Sequence, residues 1–205
     1  MARSARIILP GLPHHITQRG NHREEIFTCT RDYNIYKNFV FKYCAKYGVD
    51  IMAYCLMSNH IHLVAIPVSE ESFSDTFRDI NTSYSKYFNS SKNISGHIWH
   101  GRFYSCVMDE EHLWHAIRYV ERNPVRAKIV ATAAEYNWSS AATHCNKSAD
   151  MLLSNKFPIT NEIPNWTEWL TVENFEIISK IRTNTISGKP VGSKEFIDKI
   201  NEMIE

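Results

Sequence analysis

Nowhere in the 205 residues do two cysteines form a C-x-x-C pair, and the five present (Cys29, Cys44, Cys55, Cys106, Cys145) are odd in number and scattered. This argues against a disulfide framework and against a cysteine zinc site, and points to a reducing, cytoplasmic compartment. No stretch approaches the ~18 uninterrupted apolar residues of a membrane span. The early apolar run IILPGLP is short and broken by prolines, so the start reads as neither signal peptide nor anchor. Internal repeats and low-complexity tracts are absent too. Acid is missing before Glu24, whereas Arg3, Arg6, Arg19 and Arg23 stand there with His14, His15 and His22. From Asp150 onward nine acids face six bases, so the basic surface belongs to the first three-quarters of a chain whose net charge is only +1. Such a cluster is either a solvated edge or a holder of phosphates.

With 43% hydrophobic residues the chain can bury one ordinary core. ILPGLPHHITQRG reads as a turn followed by a short strand, with Thr17-Gln18-Arg19 leading into a Gly20-Asn21 turn. RDYNIYKNFVFKYCAKYG carries apolar residues at helical spacing and ends at Gly48, a natural C-cap. VDIMAYCLMSNHIHLVAIP reads as a β-hairpin about Ser58-Asn59, stopped by Pro67. SEESFSDTFRDINTSYSKYFNSS is a second amphipathic helix, GHIWHGRFYSCVM an aromatic strand region, and MDEEHLWHAIRYVERN a third helix capped by Asp109 and closed by Pro124. This order predicts an α+β, ferredoxin-like antiparallel sheet with helices packed on one face, residues 1–145. Residues 146–205 form a less regular C-terminal extension with a GKPVG loop and a terminal helix.

Two histidines one residue apart open the apolar run of MSNHIHLVAI. In an extended strand His60, His62, Val64 and Ile66 share a face, so both imidazoles aim at one point. That suits a metal ion, although H-x-H also occurs as plain strand decoration.

On the third helix, at ~100° per residue, Leu113, Ala116, Ile117 and Val120 form the core stripe. Tyr119 falls about 120° from that stripe, on a flank shared with His112, His115 and Asn123. It is either an amphipathic border residue or, among basic and metal-binding groups, a nucleophile. Asn123, one turn on, either caps the helix that begins NPVRA or offers an amide oxygen as third ligand of a hard cation beside His60 and His62. Arg118, Arg122 and Arg126 recur every four residues, as a solvated face or as a row tracking phosphates. Trp99, His100, Phe103 and Tyr104, beside Arg102, either fill the core or stack on unpaired bases.

The stretches PHHITQRGN, AYCLMSNHIHLVAIP, GHIWHGRFYS, AIRYVERNPVRA, EYNWSSA and GKPVGSKEF, in this order and over nearly the entire chain, resemble the REP-associated tyrosine transposases of the HUH single-tyrosine group. The resemblance implies a metal-dependent (Mg²⁺ or Mn²⁺) endonuclease and strand transferase acting on single-stranded DNA beside REP-type hairpins. His60 and His62 would be its metal pair, Tyr119 its nucleophile through a 5′-phosphotyrosine, and Asn123 its third ligand. It would act as a monomer or dimer, with no membrane partner. Two other classes compete: a hairpin-binding protein that does not cut, which an intact His60/His62/Tyr119 set disfavours, and a zinc hydrolase, which normally needs three strong ligands.

Overall fold

The chain's computed structural model describes residues 6–155 and 163–204. Among them, strand β1 (His14–Arg19) is followed by helix α1 (Thr30–Tyr47), the hairpin β2 (Val49–Met57) and β3 (His60–Pro67), helix α2 (Ser72–Lys92) and strand β4 (Tyr104–Val107). Helices α3 (Glu110–Glu121), α4 (Asn123–Arg126), α5 (Ala141–Asn146), α6 (Trp166–Trp169), α7 (Phe175–Ser187) and α8 (Lys194–Ile204) complete it. The four strands pair antiparallel in the order β2-β3-β1-β4, the arrangement of a ferredoxin-like sheet. The α+β class and the antiparallel sheet are as the sequence predicts. No helix of the described residues is long and apolar enough to cross a membrane.

Local chemistry accounts for the element ends. Gly48 stops α1 in the left-handed region at φ 67° and donates its N–H to the Cys44 carbonyl. Asp109 caps α3 by accepting the His112 N–H at 2.9 Å. The same carboxylate accepts the Ser193 N–H at 2.7 Å, while Val191 exchanges backbone hydrogen bonds with Val107 and Asp109. The GKPVGS stretch is thus docked on the end of β4 and the start of α3.

The helices cover both faces of the sheet, not one. Strand β3 is apolar on both of its alternations, so each face needs a cover. Ile61, Leu63 and Ala65 pack with Ile16, Tyr54 and Leu56 beneath α1 and α2. Val64 and Ile66 pack with Cys55, Met57, Cys106 and Met108 against Leu113, Ala116, Ile117 and Val120 of α3 and Ile178 and Ile181 of α7. A register shift between Ile51 and Ala53 resets the pleat of β2, which puts Cys55 and Met57 on the second face, opposite His62 and His60.

Two polar clusters help to hold the C-terminal segment to α3 and α4. The wholly buried Glu121 accepts from Ser140 Oγ and His144 Nδ1, both at 2.5 Å, and from Trp166 Nε1 at 2.8 Å, tying α3 to α5 and α6. Glu173, just before α7, pairs with Arg122 at 3.0 Å and Arg126 at 3.2 Å.

Candidate active site

The second face of the sheet ends in a cavity of about 610 Å³. Strand pairing puts Thr17 opposite His62 and Arg19 opposite His60, so β1 and β3 build the floor together. Into it project His15, Thr17 and Arg19 of β1, His60 and His62 of β3, Tyr119 of α3, Asn123 and Arg126 of α4, and Arg182 and Thr185 of α7. His60, His62, Tyr119 and Asn123, far apart or differently placed in the sequence, line one space.

The rings of His60 and His62 lie 5.0 Å apart at 82°. Asn59 donates its amide N–H to the Arg23 carbonyl, which can only accept, so its Oδ1 must be the atom facing His60 Nδ1 at 2.6 Å. His60 therefore carries its proton on Nδ1. His62 Nδ1 is engaged by His15 Nε2 at 2.9 Å. On both rings Nε2 has no hydrogen-bond partner among the described residues, which is the donor arrangement a cation needs. Burial, together with the Arg19 guanidinium, pushes His60 down to about 4, and burial holds His62 well below the ordinary histidine value, so both rings are neutral near pH 7.

Tyr119 is buried at 5% exposure, not a border residue of α3. The flank that the apolar stripe left open is covered by β1 and β3 beneath and α7 alongside. Its ring stands edge-on to both His62 and His15 at 5.5 Å, and the Arg126 guanidinium lies 4.3 Å from the ring centre. Burial raises the phenol's pKa, and the positive charges of Arg126 and Arg182 pull it back.

Asn123 lines the cavity, but its Oδ1 accepts from Arg126 Nη2 at 2.8 Å. An amide oxygen has a second lone pair, so this contact does not by itself close the position. Two imidazole nitrogens with an amide oxygen suit a hard divalent cation. Among the described residues there is no group of three or more His, Cys, Asp or Glu side chains that could hold a metal ion.

The remaining expected DNA contacts divide. Arg19, His100 and Tyr104 line the main cavity, and Arg23 lines smaller concavities that share Arg19, His60 or His100 with it. Arg102 is exposed outside that lining. Trp99 and Phe103 are buried in the first core layer with α1 and α2, so neither offers a ring face to a base. Arg6 lies 4.0 Å over the Phe103 ring and donates to its carbonyl, away from the cavity. Arg3 lies outside the described residues. Arg118 stacks 4.1 Å over Trp169, and Arg122 is held by Glu173 and the Leu170 carbonyl. Of the four-residue arginine row, Arg118 and Arg122 clasp the C-terminal segment, and Arg126 alone reaches the cavity.

His15, Arg182 and Thr185 were not singled out by sequence reasoning. Period-two alternation along β1 places His15 with Thr17 and Arg19, a signal that becomes informative only once β1 is paired to β3.

This chain belongs to the transposase family described as IS200-like, whose pattern it matches over residues 10–123, more than half its length. It is similar to a REP-associated tyrosine transposase of Haemophilus influenzae, with 23% identity over 108 residues, 47% of this chain and 61% of that protein. The chain thus spans less than two-thirds of that relative. A solved REP-associated tyrosine transposase bound to a REP hairpin shares the fold, with a TM-score of 0.60 at 19% identity over 76% of this chain and 92% of the other.

Proposed function

We propose that the chain nicks and rejoins single-stranded DNA beside a REP-type hairpin, with Tyr119 as nucleophile. The observation that carries this reading is the convergence, in one cavity, of Tyr119 with two neutral imidazoles whose Nε2 atoms have no hydrogen-bond partner among the described residues. Tyr119 Oη bonds phosphorus while the bond to the 3′ oxygen breaks; the phenol loses its proton and the departing oxygen gains one. A 5′-phosphotyrosine and a free 3′-hydroxyl result. The linkage keeps its phosphoester, so a second 3′-hydroxyl reseals the strand without an energy source.

His60 and His62, with Asn123 as third donor, would hold Mg²⁺ or Mn²⁺. When bound, the cation supplies charge stabilisation at the scissile phosphate. The chain's own part is orientation and charge. Sheet pairing fixes both imidazoles, Arg126 and Arg182 favour the phenolate that burial disfavours, and Arg19, Arg23 and His100 offer polar contacts to flanking phosphates. A hairpin substrate is supported by the relative solved with a REP hairpin.

The test is a labelled single strand carrying a REP-type hairpin, incubated with Mn²⁺ and resolved under denaturing conditions. A protein–DNA adduct should form, vanish with EDTA, and be absent in Tyr119→Phe, while Tyr119→Phe binds the hairpin as wild type does. Adduct formation by Tyr119→Phe refutes the assignment, and hairpin binding without an adduct under any metal leaves a binding protein.

A further inference from the structure

Behind His62 lies a line of hydrogen bonds that ends on the C-terminal segment. His62 Nδ1 meets His15 Nε2 at 2.9 Å, and His15 Nδ1 meets Thr185 Oγ1 at 2.7 Å. Thr185 Oγ1 in turn donates to the Ile181 carbonyl at 2.7 Å, one turn back in α7. All three side chains are buried, with exposures of 6%, 1% and 1%, so their polar atoms are paired chiefly with one another.

Donor bookkeeping gives this line one direction. A backbone carbonyl only accepts, so the Thr185 hydroxyl proton is spent on Ile181 and its oxygen is left as an acceptor. His15 must then put its proton on Nδ1, which makes its Nε2 an acceptor. His62 must put its proton on Nδ1 to meet that Nε2, which leaves the lone pair on His62 Nε2, facing the cavity. Cys106 Sγ, 3.1 Å from Thr185 Oγ1, fits the same scheme as a weak S–H donor to the hydroxyl's second lone pair.

We infer that Thr185, on α7, is a positioning residue: through His15 it fixes the tautomer of His62, so that a lone pair and not a proton is presented where the cation binds. The inference rests on the proposed metal role of His62 and adds to it a reason why residues of the C-terminal extension belong to the site. Remove the acceptor and His15 is free to carry its proton on Nε2. His62 then accepts at Nδ1 and holds a proton on Nε2, which a metal must displace. Outer hydrogen-bond partners of ligating histidines typically change metal affinity roughly 10- to 100-fold.

The experiment compares the full chain with Thr185→Val, which keeps the side-chain shape and removes the hydroxyl, and with Thr185→Ser, which restores it. In the metal-free protein, long-range ¹H–¹⁵N spectra of ¹⁵N-histidine-labelled samples should show His62 protonated at Nδ1 in wild type and Thr185→Ser. That signature should be lost in Thr185→Val. Calorimetric titration with Mn²⁺ should show affinity weakened roughly 10- to 100-fold in Thr185→Val and recovered in Thr185→Ser. His62 remaining Nδ1-protonated in a folded Thr185→Val overturns the inference, as does Nε2 protonation in wild type. Absence of His62-dependent Mn²⁺ binding in wild type overturns the metal reading instead, and the metal-free spectra still decide the relay.

Discussion

Replacing Glu121 by alanine should cost about 3–5 kcal/mol, the range seen when one member of a buried, hydrogen-bonded polar network is removed. The carboxylate is wholly buried and accepts from three donors on two other helices and the residue preceding one of them: Ser140 Oγ, His144 Nδ1 and Trp166 Nε1. A buried donor left without an acceptor costs about 1–3 kcal/mol, so three would reach well above the expected loss. Two effects lower the sum. Ser140 Oγ lies 3.4 Å from the Tyr54 carbonyl and can turn to it, and the desolvated carboxylate itself disappears. With a urea slope of about 2 kcal/mol per molar, the denaturation midpoint should fall by about 2 M. Glu121→Gln keeps one acceptor oxygen but turns an amide N–H₂ towards donors, so its midpoint should lie between the two. A Glu121→Ala midpoint within about 0.3 M of wild type, less than 1 kcal/mol on that slope, would refute the account of this network as the tie between α3 and the C-terminal segment.

Acid should destabilise the fold in a defined window. Buried His14 accepts the Leu9 N–H at Nε2 and donates from Nδ1 to the Leu12 carbonyl, and burial pushes its pKa down from 6.5 to about 4. The unfolded chain therefore binds a proton that the folded chain refuses. Stability is full above pH 6.5 and falls as pH drops towards 4, by about 3 kcal/mol at about 1.36 kcal/mol per pH unit. Urea midpoints at pH 7.5 and 4.5 should diverge less in His14→Gln, and equal divergence would discount the assignment. In DNA binding, Arg19→Ala should lower affinity for all single strands and flatten the slope of log K against log salt by about 0.7. Arg122→Ala, whose guanidinium is held by Glu173, should leave that slope unchanged and lower the urea midpoint instead; a flattened slope would show that Arg122 does meet phosphate.

The parts of the fold and site that were legible in the sequence are those set by neighbours along the chain. Period two put His60, His62, Val64 and Ile66 on one face, Gly48 and Asp109 marked helix ends, and the 3.6-residue period separated Tyr119 from the stripe of Leu113, Ala116, Ile117 and Val120. What covers a face is a different question, answered by segments far away. The helical wheel left Tyr119 on an open flank because α7, more than fifty residues later, was not yet there to close it. The choice between a solvated face and a phosphate row for Arg118 and Arg122 stayed open because Trp169 and Glu173 are equally remote, and that between core and base stacking for Trp99 and Phe103 because nothing local says that α1 and α2 lie over them. The same division runs through the chemistry. A motif such as H-x-H specifies which rings converge, but each imidazole has two nitrogens and one proton, and only a partner decides which nitrogen stays bare. For His60 that partner is the adjacent Asn59, oriented by Arg23; for His62 it is His15, on another strand, which the hydroxyl of Thr185 orients in turn. The candidate nucleophile and ligands are thus written within residues 60–123, while the proton placement that would make His62 a ligand is written 123 residues beyond it, by a Thr185 that stands 170 residues from the His15 it meets.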